Sequence, residues 1–262
     1  MTFLSSSHAR AGAIVLALAF IGGTGCAVID AANNARYQQR LRDQEAARQR
    51  RIAALESAAA GGDPAARSEL ALALLSPSGP AQVDVPRALA LLEQAAAQDD
   101  GLAQALLGEI LVGSLPRVRT GRQDAERGIA LLQRAATKAC TYPRPGPLRL
   151  SIEPAREAGS MLSDAGRTDK SLLWRARSIL HCGRTDTAAL SWQAQSERAS
   201  PAERIQALAL LTLTGDAAAA AKASATLPAA DATAAERLAA DLRRRVADSE
   251  RDYPAPPRKE QP

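Results

Sequence analysis

From Asp30 to Ala60 the chain carries no glycine or proline, and Tyr37, Leu41, Ile52 and Leu55 recur near helical spacing in an otherwise polar stretch. A sparse apolar stripe of this kind predicts one long, mostly polar helix. Its end, Leu55-Glu56-Ser57-Ala58-Ala59-Ala60, recurs as Leu92-Glu93-Gln94-Ala95-Ala96-Ala97 and as Leu132-Gln133-Arg134-Ala135-Ala136-Thr137, at spacings of 37 and 40 residues. A second element echoes in phase: Ala66-Arg67-Ser68-Glu69-Leu70-Ala71 lies 37 residues before Ala103-Gln104-Ala105-Leu106-Leu107-Gly108. Periods of this size predict stacked helix pairs, because no single unit buries its apolar face until a neighbour stacks on it. The breaks fall at Ser76-Pro77-Ser78-Gly79-Pro80 and between Gly113 and Gly121, which includes Pro116.

Beyond Cys140 the repeat fades. Thr141 to Pro147 holds three prolines, which remove backbone donors and stop any helix, so residues 140–153 read as a connection. Helices are predicted from Glu153-Pro154 through Ala165 and from Asp169 through Leu180, with Gly166 and Gly183 as their stops. Ser200-Pro201-Ala202-Glu203 has the form of a capping box, after which Ile205, Leu208 and Leu211 face inward. A last helix from Asp231 to Arg251 has Leu238 and Leu242 as anchors, and the prolines after Tyr253 leave the tail extended or disordered. The resulting division is residues 1–25 as a leader, 26–60 as the long polar helix, 61–139 as repeats, 140–153 as the Pro-rich connection, 154–251 as degenerate helical repeats and 252–262 as a disordered tail.

Composition supports helices throughout. Roughly sixty of the 262 residues are alanine and only 3% are aromatic, too few β-branched and aromatic residues to furnish a sandwich, a barrel or a doubly wound sheet. The class is all-α. Lys and Arg exceed Asp and Glu by 33 to 28, and carboxylates sit among the basic clusters Arg36 to Arg51 and Arg243 to Arg245. That alternation marks a solvated helix face, with contact to anionic lipid or an acidic partner as the lesser alternative, and nucleic-acid binding is not implied.

Ala103-Gln104, Leu107-Gly108, Gly113, the polar loop and Ala130 to Ala136 together resemble the Sel-one-like repeat, a relative of the tetratricopeptide repeat. The resemblance covers roughly Ala54 to Lys138. The first unit has Ala71 where the family prefers Gly, the second has Gly128 where it prefers Ala, and Leu91 and Leu131 replace the usual aromatics. The resemblance implies an α-solenoid of antiparallel helix pairs, partly degenerate, with an alanine-rich bundle as the alternative. It also implies that the first helix of each pair lines a concave face, making Arg67, Glu69, Gln104 and Glu109 candidate partner contacts. An ordinary solvated surface is the competing reading of each.

The N-terminus has the form of a secretory signal: Arg10, an apolar run from Ala11 to Ile21, then Gly22-Gly23-Thr24-Gly25 before Cys26. Small residues ahead of that cysteine resemble the bacterial lipoprotein signal, although Gly23 stands where the family prefers an aliphatic residue. The resemblance implies lipidation at Cys26, and Ala27 rather than Asp after it implies transfer to the outer membrane, facing the periplasm. Ordinary cleavage releasing a soluble periplasmic protein is the alternative. With Cys26 lipidated, Cys140 and Cys182 remain, and an oxidising compartment makes a disulfide between them the expectation, against two buried thiols.

Chemistry is sparse. Only His181 would follow the leader, and there is no Cys-x-x-Cys, His-Glu-x-x-His or phosphate loop, so no metal, cofactor or catalytic residue is implied. His181 and Cys182 are adjacent and would point apart, which does not suit a thiol nucleophile. Asp99-Asp100 is better explained as a helix cap than as an acid/base pair. The expected role is a non-enzymatic, lipid-anchored scaffold for protein partners in an envelope assembly such as polysaccharide export or pilus secretin assembly. A soluble periplasmic binding or accessory protein of a cell-wall or polysaccharide enzyme is the alternative.

Overall fold

The computed structural model describes residues 9–76, 84–115, 118, 123–145 and 151–257, with side chains from residue 33 onward. Two compact units emerge, residues 1–54 and 55–262. The first consists of most of helix α1 (Ala9–Ala60). The helix ends where the spacing predicts but begins earlier than Asp30. Its polar surface carries local pairs one turn apart, such as Gln39 with Asp43 at 2.9 Å and Gln49 with Glu45 at 3.2 Å, the spacing at which helix side chains meet. Tyr37 and Leu41 on it are exposed. The lipidation candidate Cys26 lies outside the described side chains.

The second unit takes the end of α1 and then α2 (Pro64–Leu75), α3 (Val85–Ala97), α4 (Gly101–Leu111) and α5 (Ala125–Ala136). It continues with strands β1 (Tyr142–Pro143) and β2 (Ser151–Ile152), then α6 (Pro154–Asp164), α7 (Thr168–Cys182), α8 (Thr187–Gln195), α9 (Pro201–Leu213), α10 (Ala217–Ser224) and α11 (Ala229–Asp248), closing on a single 3-10 turn. Adjacent helices pack as pairs: α2 with α3, α4 with α5, α6 with α7, and α8 with α9.

The local chemistry repeats with the sequence. Asp63, Asp84, Asp100 and Asp124 cap α2 to α5 in turn, each carboxylate accepting a backbone N–H of the first turn at 2.7–3.1 Å. Such caps satisfy donors the helix itself leaves open. Ahead of α2 and of α4 the chain swings through positive φ, at Gly62 (97°) and at its counterpart Asp99 (65°). Asp is among the few side chains that tolerate this region. The third residue of α3, Arg87, pairs back to Glu56 at 2.7 Å, and its counterpart Arg127 pairs back to Glu93 at 2.9 Å. These half-exposed bridges add little stability singly, but they recur in the same register in both repeats.

Helix crossings repeat as well. Ala71 and Ala88, both fully buried, mark the α2/α3 crossing, and their counterparts at the α4/α5 crossing are Gly108 and Gly128. A Cβ on Gly128 would meet Val112 Cγ1 at 2.7 Å and the Gly108 carbonyl at 3.0 Å. The second pair therefore crosses too closely for alanine. A third close crossing, α6 on α7, uses Gly159, whose carbonyl accepts the Ser171 hydroxyl at 2.7 Å.

Where a fifth Asp-capped helix would begin, Cys140 stands at the place of Asp100 and the chain forms a two-stranded antiparallel sheet, Tyr142 opposite Ile152. This small sheet was not expected from an all-α reading. Prolines forbid the helix, and the sheet still closes the core: Ile152 is fully buried and the Tyr142 hydroxyl donates to the Ala135 carbonyl at 3.1 Å.

Two apolar clusters follow. One runs from Ala71 through the α2 to α6 helices to Trp174, and the other gathers α7 to α11. In the latter, α9 packs against α7, α8, α10 and α11. Its residues Ala207 to Leu211 are all buried, as expected of a run that is apolar all round. Ser200 and Glu203 form the capping box predicted for it. In the tail, residues 253 and 256 make contact with the body. Tyr253 stacks edge-on against Trp174 at 5.0 Å, and Pro256 is buried.

Candidate functional site

The four candidate partner contacts separate into two kinds. Arg67 and Glu69 lie at the surface of α2, where Arg67 is partly buried and its Nε donates to the Ala59 carbonyl at 3.2 Å. Gln104 and Glu109 are fully buried. The reason is that α4 has no solvent face: every residue from Ala103 to Leu111 is buried, with α2, α3, α5 and β1 around it. Gln104 Nε2 donates to Asp99 at 2.8 Å, and its Oε1 finds no partner. Neither side chain offers itself to a partner protein in this arrangement.

Glu109 is instead the centre of a charged seam. Arg144, just after β1, reaches it with a fork of two donors at 2.8 and 3.0 Å and also donates to the Ser114 carbonyl at 3.1 Å. Burial pushes the Glu109 carboxyl up to about 7, against the pull of the Arg144 guanidinium. On α6, Arg156 bonds Glu153 at 2.7 Å and Glu157 at 3.0 Å, and Arg184 stands 3.8 Å from Glu153.

Cys140 and Cys182 form the expected disulfide, with Cα atoms 5.5 Å apart, which ties the segment just before β1 to the end of α7. The thiol chemistry is thereby closed. His181 Nε2 lies 3.6 Å from Glu250. Asp100 caps α4, and Asp99 pairs with Lys138, which holds its carboxyl below the usual range. Both belong to the turn rather than to an acid/base pair. Among the described residues no group of His, Cys, Asp and Glu could hold a metal ion.

Among the described residues, concave space includes two places. One, about 630 Å³, lies among α9, α10 and α11 and is walled by five alanines with Leu208, Thr212, Gly215, Asp216, Ser224 and Glu236. The other is a groove of about 290 Å³ between α6, α7 and α8. Arg156, Arg175 and Arg184 line it with Asp164 and Asp186, together with Ser160, Ser163, Thr185 and Gln193. Asp186 Oδ1 is committed to the Ala189 N–H, 2.9 Å away, as the α8 cap. Sequence reasoning passed over Arg144 and Arg175. Each matters through a neighbour more than fifteen residues away, or through the lack of one, so no local pattern marks it.

The fold thus defines a mostly helical protein built of packed adjacent helix pairs, with one disulfide and a polar groove. Set against family models, curated proteins and solved structures, the chain matches none of them. Among the described residues no helix is long and apolar enough to cross a membrane.

Proposed function

We propose that the chain is a lipid-anchored helical-repeat scaffold of the bacterial envelope, a partly degenerate solenoid that holds protein partners of an assembly such as a polysaccharide exporter or a pilus secretin. In this reading Cys26 carries the lipid, the outer membrane holds the anchor, and the array faces the periplasm and binds rather than reacts. The observation that carries it is the recurrence of one set of devices at the same spacings as the sequence echo. Asp caps open four successive helices, and the Arg87–Glu56 and Arg127–Glu93 rungs join successive units. Repeat proteins assembled this way present extended binding surfaces. The Cys140–Cys182 bridge agrees with export, since disulfides persist in oxidising compartments. Arg67 and Glu69 remain the contact candidates.

In-cell crosslinking of the tagged protein, with mass spectrometry of what is captured, tests this against Cys26→Ala. Capture of exporter or secretin subunits that weakens in the variant is the expected result. An empty capture, or one indifferent to Cys26, removes the tethered-scaffold reading. Mass analysis of the N-terminal peptide for an acylated Cys26 reports on the anchor alone.

A further inference from the structure

Arginines near the α6/α7 crossing direct their donors to protein acceptors. Arg156 bonds Glu153 and Glu157, Arg184 stands beside Glu153, and Arg177 bonds Ser249 together with the Tyr253 and Pro254 carbonyls. Arg175 is the exception. It makes no hydrogen bond or ion pair among the described residues, and burial depresses its pKa. The side chain is only partly buried and its nitrogens keep contact with solvent, so the lack of a protein partner calls for a reason in its placement rather than in a desolvation cost.

Its placement supplies one. A Cβ on Gly159 would lie 2.8 Å from Arg175 Cγ and 3.2 Å from Arg175 N, so the glycine is what lets the arginine stem lie against α6. The side chain then lines the 290 Å³ groove beside Ser160, Ser163, Asp164, Thr185 and Gln193. A guanidinium presents a planar fork that matches two oxygens of a carboxylate or phosphate. The surrounding hydroxyl and amide groups suit a ligand rich in hydroxyls. Asp164 and Asp186 disfavour polyanions, which leaves a single charged group as the best fit. The volume approaches the lower end of small-molecule pockets, roughly 300 Å³.

We propose that this groove binds a small acidic sugar, with Arg175 holding its carboxylate or phosphate and the polar groups of α6, α8 and the loop before α8 meeting its hydroxyls. The site is independent of the scaffold reading. Calorimetric titration of the purified protein at low salt with glucuronate, glucose 6-phosphate, inorganic phosphate and glucose tests it. Glucuronate or glucose 6-phosphate should bind saturably, glucose should not, and Arg175→Gln should weaken binding at least about tenfold while Arg237→Gln on α11 leaves it unchanged. Arg175→Lys keeps the stem over Gly159 and the charge but loses the fork. It should weaken binding by a smaller factor, and it serves as the second variant if Arg175→Gln does not fold. The proposal is overturned if neither acid binds saturably up to about 10 mM, if the Arg175 variants bind as wild type does, or if inorganic phosphate binds as tightly as the sugar acids.

Discussion

Arg144→Gln isolates the Glu109 pair and makes a loss of stability that should depend on pH. Glu109 is fully buried, and its carboxylate has the Arg144 fork at 2.8 and 3.0 Å. Breaking a buried pair costs on the order of 3–5 kcal/mol when the remaining charge stays ionised. Here the carboxyl has another course, because it takes up a proton: burial holds it at about 7 even with Arg144 present. Between its ordinary 4.5 and about 7 the folded protein keeps a proton that the unfolded chain has released. Stability therefore falls as pH rises through that window, by at most about 1.4 kcal/mol per unit. Without Arg144 the carboxyl rises further and the decline continues above neutrality. At pH 5 both folded forms carry neutral Glu109, so the variant loses only hydrogen bonds, including that to Ser114, about 1 kcal/mol. Near pH 8.5 the loss should approach about 3 kcal/mol. Urea unfolding followed by circular dichroism at both pH values measures the difference. Equal losses at the two pH values would refute the argument, as would a variant as stable as wild type near pH 8.5.

Three further outcomes follow from the packing. Gly128→Ala should lower stability by about 1–3 kcal/mol in thermal melts, because its Cβ collides with Val112 and the Gly108 backbone, although alanine favours helix by about 1 kcal/mol; a stabilised variant would mean the crossing is not close. Reducing the Cys140–Cys182 bridge, which spans 42 residues, should cost about 4 kcal/mol in the chain-entropy model, read as a lower melting temperature in reductant that a Cys140→Ser, Cys182→Ser variant reproduces without it. In a Trp192→Phe background, Tyr253→Ala should shift Trp174 emission to the red, since Tyr253 covers the Trp174 ring edge-on and Arg177 lies 5.1 Å from it; unchanged emission would show that the tail does not shield that ring.

Much of the first half of the second unit was legible because each repeat is specified locally. The cap at Asp100 was read from the sequence, and Asp63, Asp84 and Asp124, which were not singled out, act in the same way. The box at Ser200 and Glu203 and the stop at Gly183 are equally local, the latter with φ of 59°. Gly128 was visible as a departure from the resembled family, but its reason was not. That reason is Gly108 across the crossing, and the two glycines together replace the Ala71 and Ala88 pair. Gly159 carried no such flag because the repeat had already faded from the sequence.

The misread positions share a cause. Gln104 and Glu109 are polar residues on the first helix of a pair, and a surface face is the ordinary place for them. What decides otherwise is the number of neighbours: α4 is enclosed, so its polar residues must find partners within the fold. Glu109 finds Arg144 from a segment whose prolines marked it only as a connection, 35 residues on. The same logic, run in reverse, singles out Arg175. Two residues on along α7, Arg177 resolves its charge through the tail, whereas the close approach at Gly159 places Arg175 where no carboxylate comes within bonding distance. Among the enclosed polar residues Glu109 and Arg177 are paired across long stretches of chain, whereas Gln104 pairs locally and leaves its Oε1 without a partner; Arg175, only partly buried, instead lines a groove open to the outside.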